Sequence, residues 1–153
     1  MDTILELQLL GKIIVAGLLA GLVGLEREFA EKPAGLRTHM LVGATSAFLV
    51  IMAIRSVSLF GPADFIRTDP IRIVEAIVVG ISFLGAGTIL KHARQGDDFV
   101  EGLTTSASIL SVAAVGIAVA LDAFVLAAGV TLWNVFVNWG INRIVKRIKD
   151  RTK

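Results

Sequence analysis

Long apolar runs alternate with short polar breaks along the chain, and the length of the runs is the first clue to what they form. Five stretches, about 5–25, 36–54, 71–90, 103–121 and 123–141, are each near the 20 mostly apolar residues that cross a hydrocarbon core of roughly 30 Å as a helix. None shows the period-two alternation of a membrane β-strand, so the pattern predicts helices. Asp69-Pro70 is a start signal for the third, an N-cap residue followed by proline at the first helical position. Little more than Asp122 separates the fourth and fifth, which predicts a tight helical hairpin. Asp2 and Glu6 stand at the head of the first run where a signal peptide would be basic, and no clean small-residue cleavage site follows, so it reads as a retained helix. The expectation is an all-α, polytopic membrane bundle of about five transmembrane helices, a single domain over 1–153 with a basic tail at 142–153.

Composition agrees. Hydrophobic residues make up 55% and charged residues 18%, against about one quarter charged in an ordinary soluble domain. Such a chain cannot clothe a water-facing surface, so the bilayer is its first expected partner. The absence of Cys excludes a disulfide framework, a thiolate metal site and a Cys nucleophile. No Tyr and two Trp offer no stacking platform, and no nucleic-acid partner is expected.

Basic residues then set an orientation. Arg27, Lys32, Arg37, Lys91, Arg94, Arg143, Lys146, Arg147, Lys149, Arg151 and Lys153 fall on one side of a five-helix chain. Only Arg55, Arg67 and Arg72 fall on the other. The richer side is expected in the cytoplasm, with the N-terminus outside and the C-terminus inside.

The remaining polar and small residues carry the candidate chemistry. Gly17, Gly21 and Gly24 share one face of the first helix, and Gly80, Gly85 and Gly87 punctuate the third; both sets read as sites of close helix packing. A second reading of Gly85 and Gly87, a loosened helix whose carbonyls face a polar cavity, fits the spacing equally. At the cytoplasmic boundary Glu26, Arg27, Glu28, Arg37, Thr38, His39 and Glu101 gather with Thr104, Thr105 and Ser108. Their mixed signs predict a hydrogen-bonded network, because simple anchoring needs only Lys and Arg. Within it Glu26, Glu28 and Glu101 are the candidate ligands for a magnesium ion, which keeps its waters and needs one or two carboxylates. Thr131, Asn134 and Asn138 repeat at helical spacing and read as bundle-facing glue. Lys12 and Glu75 lie inside predicted spans, where a lone charge is costly, and are expected to pair with each other. No Ser-Lys dyad, His pair or Asp pair stands at catalytic spacing within the spans, so no enzymatic activity is expected.

Four ordered blocks together resemble a known family. Gly17-Leu-Leu-Ala-Gly21-Leu-Val-Gly24-Leu-Glu26-Arg27-Glu28 and Lys32-Pro33-Ala34-Gly35-Leu36-Arg37-Thr38-His39 are similar to the opening signature of the MgtC/SapB membrane proteins. Gly80-Ile-Ser-Phe-Leu-Gly85-Ala-Gly87-Thr88-Ile89 and Glu101-Gly102-Leu103-Thr104-Thr105-Ser106-Ala107 resemble its later signatures. The resemblance implies a multi-pass protein of a bacterial or archaeal plasma membrane, linked to growth at low magnesium. One branch of the family is linked to the F-type ATP synthase, so regulation of another membrane complex is expected; the glycine faces of the first and third helices also suit a homo-oligomer. A magnesium or other cation transporter or channel is the alternative. Many virulence-associated members also carry a cytoplasmic C-terminal domain resembling ACT modules. The dozen residues after the last predicted helix leave no room for one, so the helices are expected to do the work.

Overall fold

The computed structural model describes residues 3–60, 70–94 and 97–141, and each predicted apolar run is a helix. They are α1 (Thr3–Phe29), α2 (Leu36–Phe60), α3 (Pro70–Gly87), α4 (Leu103–Ala120) and α5 (Phe124–Val135), the last running on as a π-helical turn over Phe136–Ile141. Three of them, over Thr3–Phe29, Leu36–Ser56 and Leu103–Ala120, are long and apolar enough to cross a membrane, and Phe124–Gly140 is a shorter apolar helix. Outward faces are greasy: Leu7, Ile14, Leu18, Leu22, Leu25 and Phe29 on α1 are exposed, as are Val125, Leu126, Leu132 and Trp133 on α5. Patches of that extent are unsupportable in water and fit a membrane bundle. The predicted basic tail, 142–153, lies outside the described residues.

Glycine and alanine set how closely the helices approach. Ala16, Ala20 and Val23 of α1 are fully buried, with Ala47 of α2 and Val112 and Val119 of α4. The tightest crossing is made by two glycines that no spacing motif marks, Gly43 and Gly116. A Cβ on Gly43 would fall 2.5 Å from the Ala20 Cβ, and one on Gly116 would fall on the Gly43 carbonyl oxygen. α1, α2 and α4 therefore meet nearly backbone to backbone, which gains dispersion contact where lipid offers no hydrophobic drive. Gly21 and Gly24 are close-approach positions as expected, Gly21 against Met40 and Gly24 against Leu36 and His39; Gly17 sits in ordinary contact with Ala44. On α3 the expectation holds only for Gly85, which faces Ser106, since a Cβ at Gly80 or Gly87 would meet open space. The physical reason is that α3 docks on α2 and α4 by one edge, leaving Val79 and Phe83 exposed.

Two helices end in the same device. After α1 the Lys32 N–H bonds to Arg27 O and the Glu31 N–H to Glu28 O, with Glu31 at φ 53. After α4 the Ala123 N–H bonds to Ala118 O and the Asp122 N–H to Val119 O, with Asp122 at φ 62. Both are Schellman caps with a charged residue in the left-handed position. The second explains how one residue suffices to reverse the chain between α4 and α5. Between α3 and α4, where a plain loop was expected, β1 (Leu90–Arg94) and β2 (Asp97–Glu101) pair antiparallel, with Leu90 opposite Glu101.

Candidate functional site

The polar residues at one end of the bundle separate into a buried network and an exposed rim. Arg27 leads the first. It continues the inward line Ala16, Ala20, Val23 at helical spacing, so α1 carries its guanidinium into the bundle, where it is 2% exposed. Its Nη1 donates to Asn138 Oδ1 and its Nη2 to Thr105 Oγ1, both at 3.4 Å. Glu26 Oε2 stands 3.9 Å from Nη1. Charge-assisted bonds close to about 2.7–2.9 Å, so neutral oxygens at long range hold this cation, without a bidentate carboxylate. The buried Arg27 Nε–H and Glu26 Oε2 make no hydrogen bond among the described residues. Asn138 sits in the π-helical turn that ends α5, a widened turn of the kind that frequently marks functional positions.

His39 forms the second half. It is fully buried and lies between Gly35 O, 2.7 Å from Nδ1, and Ser108 Oγ, 3.0 Å from Nε2. A carbonyl can only accept, so Nδ1 carries the proton, and in the neutral ring Nε2 is the acceptor. The Ser108 hydroxyl also lies 2.8 Å from Thr105 O, so its single proton serves two acceptors. Through Thr105 and Ser108, one turn of α4 joins Arg27 of α1 to His39 of α2. Asn134 adds a bond to Ser111 Oγ at 2.8 Å, and Thr131 bonds Ala127 O within its own helix.

Other predicted members stand apart from this network. Arg37 and Thr38 are exposed on the first turn of α2, because only one residue in three or four of that turn can face inward, and His39 takes the place. Glu28 is exposed, and its Oε2 accepts the Leu36 N–H at 2.9 Å, closing the start of α2. Gly35 leaves room for that carboxylate, which a Cβ would strike. Thr104 and Glu101 are exposed on α4's outer side and on β2. The three candidate magnesium ligands consequently do not converge: Glu26 lines a cleft with Leu22, Phe29 and Trp139, Glu28 caps α2, and Glu101 lines a third place. Among the described residues no three His, Asp or Glu gather as a metal site, and the three candidate carboxylates do not share one.

The expected Lys12–Glu75 pair is corrected. Lys12 Nζ lies 2.7 Å from Asp122 Oδ2, in the α4–α5 turn. Helix order explains it: α1 packs on α2, α4 and α5, while α3, with Glu75 exposed, docks on α2 and α4. The left-handed Asp122 thus serves twice, ending α4 and partnering Lys12.

Beside the buried network lies a cleft of about 320 Å³, lined by Arg27, Lys32, Glu101, Gly102, Thr104 and Thr105 among others. A family model described as the MgtC family matches residues 13–147. The chain belongs to the MgtC family. Relatives include Protein SapB of Bacillus subtilis (strain 168), 39% identical over 70% of this chain and 45% of its own length. Protein MgtC of Brucella abortus (strain 2308) is 38% identical over 80% of this chain and 47% of its own. YhiD of Escherichia coli (strain K12), by name a candidate magnesium transporter, is 37% identical over 71% of this chain and 48% of its own. The chain spans about half the length of the curated relatives it matches. No solved structure matches it.

Proposed function

We propose that this MgtC-family chain is a non-enzymatic membrane module of magnesium or proton-energy homeostasis, acting on another membrane complex and not as a path for the cation. Its place is a bacterial plasma membrane, with the Arg27 end toward the cytoplasm, where the excess of Lys and Arg lies. The observation that carries the reading is Arg27 itself. The polar heart of the bundle is organised around a buried cation that donates to Asn138 and Thr105, with the Glu26 carboxylate 3.9 Å away. A divalent ion following the same hydroxyls would meet that charge at close range in a medium of low polarity, where like charges repel by several kcal/mol. The buried network is suited instead to hold the ends of α1, α2, α4 and α5 in one fixed arrangement. What it presents is the exposed rim of Glu28, Arg37 and Glu101.

The test is affinity purification of the tagged chain from cells grown at low magnesium, with an F-type ATP synthase as the first complex to look for. A membrane complex that co-purifies with the native chain and is lost with Arg37→Glu is the expected result. Arg37 makes no contact with the buried network, so this change leaves the bundle intact. Purification of the chain alone under cross-linking conditions would overturn the reading.

A further inference from the structure

We infer that the cleft between the α1–α2 connection and the start of α4 binds a phosphate group. Two independent features meet there. The first is the N-terminus of α4, an 18-residue helix with no side-chain cap. Gly102 precedes it at φ 95, and the Ser106 N–H is the first to find a carbonyl one turn back, at 2.8 Å on Gly102 O. The N–H groups of Leu103, Thr104 and Thr105 have no such acceptor, and aligned peptide dipoles give this end about half a positive charge. Gly102 is needed for the geometry, since a Cβ there would strike the Thr88 carbonyl.

The second feature is Arg27. It lines the same cleft, is 2% exposed, and keeps a buried Nε–H that no atom of the described chain accepts. Lys32 adds a second cation and Thr104 an exposed hydroxyl. Two carboxylates bear on them, the exposed Glu101 in the cleft and Glu26, whose Oε2 lies 3.9 Å from Arg27 Nη1. They offset the side-chain cations, so the free helix-end N–H groups supply the remaining positive potential. Guanidinium, ammonium and free helix-end N–H groups are the donors that phosphate oxygens take, and about 320 Å³ holds a phosphoryl group with part of what carries it. The phosphate could belong to a free ion or to a lipid headgroup, since the cleft lies at one end of the bundle. This site stands whether the chain regulates a complex or conducts an ion.

The experiment titrates the delipidated chain in a neutral detergent at fixed ionic strength. One arm uses inorganic phosphate, another dioctanoyl phosphatidic acid, and the control is dioctanoylglycerol, which has the same chains without phosphate. Tryptophan fluorescence and thermal stabilisation report binding. Saturable binding of inorganic phosphate assigns a free phosphate, and binding of phosphatidic acid alone assigns a headgroup; either supports the site. Lys32→Gln, at an exposed position, is expected to weaken binding about ten-fold or more, one charge-assisted bond's worth. Glu101→Gln is expected to strengthen it about two- to five-fold. No binding in either arm would overturn the site, as would binding indifferent to both substitutions. So would Glu101→Gln abolishing a stabilisation that magnesium chloride produces and phosphate does not.

Discussion

Gly116→Ala places one methyl group where α4 meets α2, and the structure says how badly it fits. The new Cβ would fall on the Gly43 carbonyl oxygen and lie 3.0 Å from its carbon and 3.1 Å from Ser46 Cβ. An ordinary contact needs about 3.4 Å or more, so the helices must separate by roughly 1 Å along a crossing made of backbone. α1 is carried along, because Gly43 in turn holds Ala20. Overpacking a core costs about 1–3 kcal/mol, and the upper end applies, because backbone cannot rotate away as a side chain can. At about 2–4 °C per kcal/mol for a chain of this size, the apparent melting temperature should fall by about 6–12 °C. The assay is fluorescence-detected size exclusion after heating, in one detergent, with Gly80→Ala and Gly129→Ala beside it. Those two substitutions put a methyl into open space, and alanine is the better helix former by about 1 kcal/mol, so neither should lower the melting temperature. Equal losses at Gly116 and Gly80 would refute the packing argument.

Further expectations follow from the network. Arg27→Met should destabilise by about 2–4 kcal/mol, because it leaves Thr105 and Asn138 buried with a partner lost, and Asn138→Leu alone should cost less; a thermal series reads both. Nitrogen NMR of His39 should show the proton on Nδ1, and a ring protonated on Nε2 alone would contradict the bond to Gly35 O. Lys12 and Asp122 should couple by no more than about 1 kcal/mol in a double-mutant cycle, since the pair is partly exposed, while Lys12 and Glu75 should not couple at all.

How far the sequence carried can be traced through particular residues. The five helices were legible because hydropathy over a span is a long, redundant signal, and the short α4–α5 reversal because only Asp122 was left to make it. α1 runs on to Phe29, beyond the expected Leu25, because apolarity marks where lipid ends and not where hydrogen bonding does; Glu26, Arg27 and Glu28 are sound helix formers. The glycine line of 17, 21 and 24 runs on at helical spacing to Glu28, but the alanine line of 16 and 20 leads through Val23 to Arg27, and that is the inward one. Asn138 was found as a polar position on α5, and nothing in its spacing tied it to Arg27, more than a hundred residues away. Gly43 and Gly116 stand alone in their helices, without a second glycine four residues on, so no motif marked them. The β1–β2 hairpin was hidden because five-residue arms rich in charge resemble any polar loop; Gln95-Gly96 between them was the available turn signal. Lys12 and Glu75 were matched by depth alone, which says nothing of which helices are neighbours.

The central claim is that a bundle organised around a buried arginine does not conduct magnesium. The direct measurement is uptake into sealed liposomes holding the purified chain and a magnesium-sensitive dye, with and without an imposed potential and proton gradient. Traces superimposable on those of protein-free liposomes are expected, with no change on Glu26→Gln or Glu101→Gln. Saturable magnesium entry that falls with either substitution would contradict it.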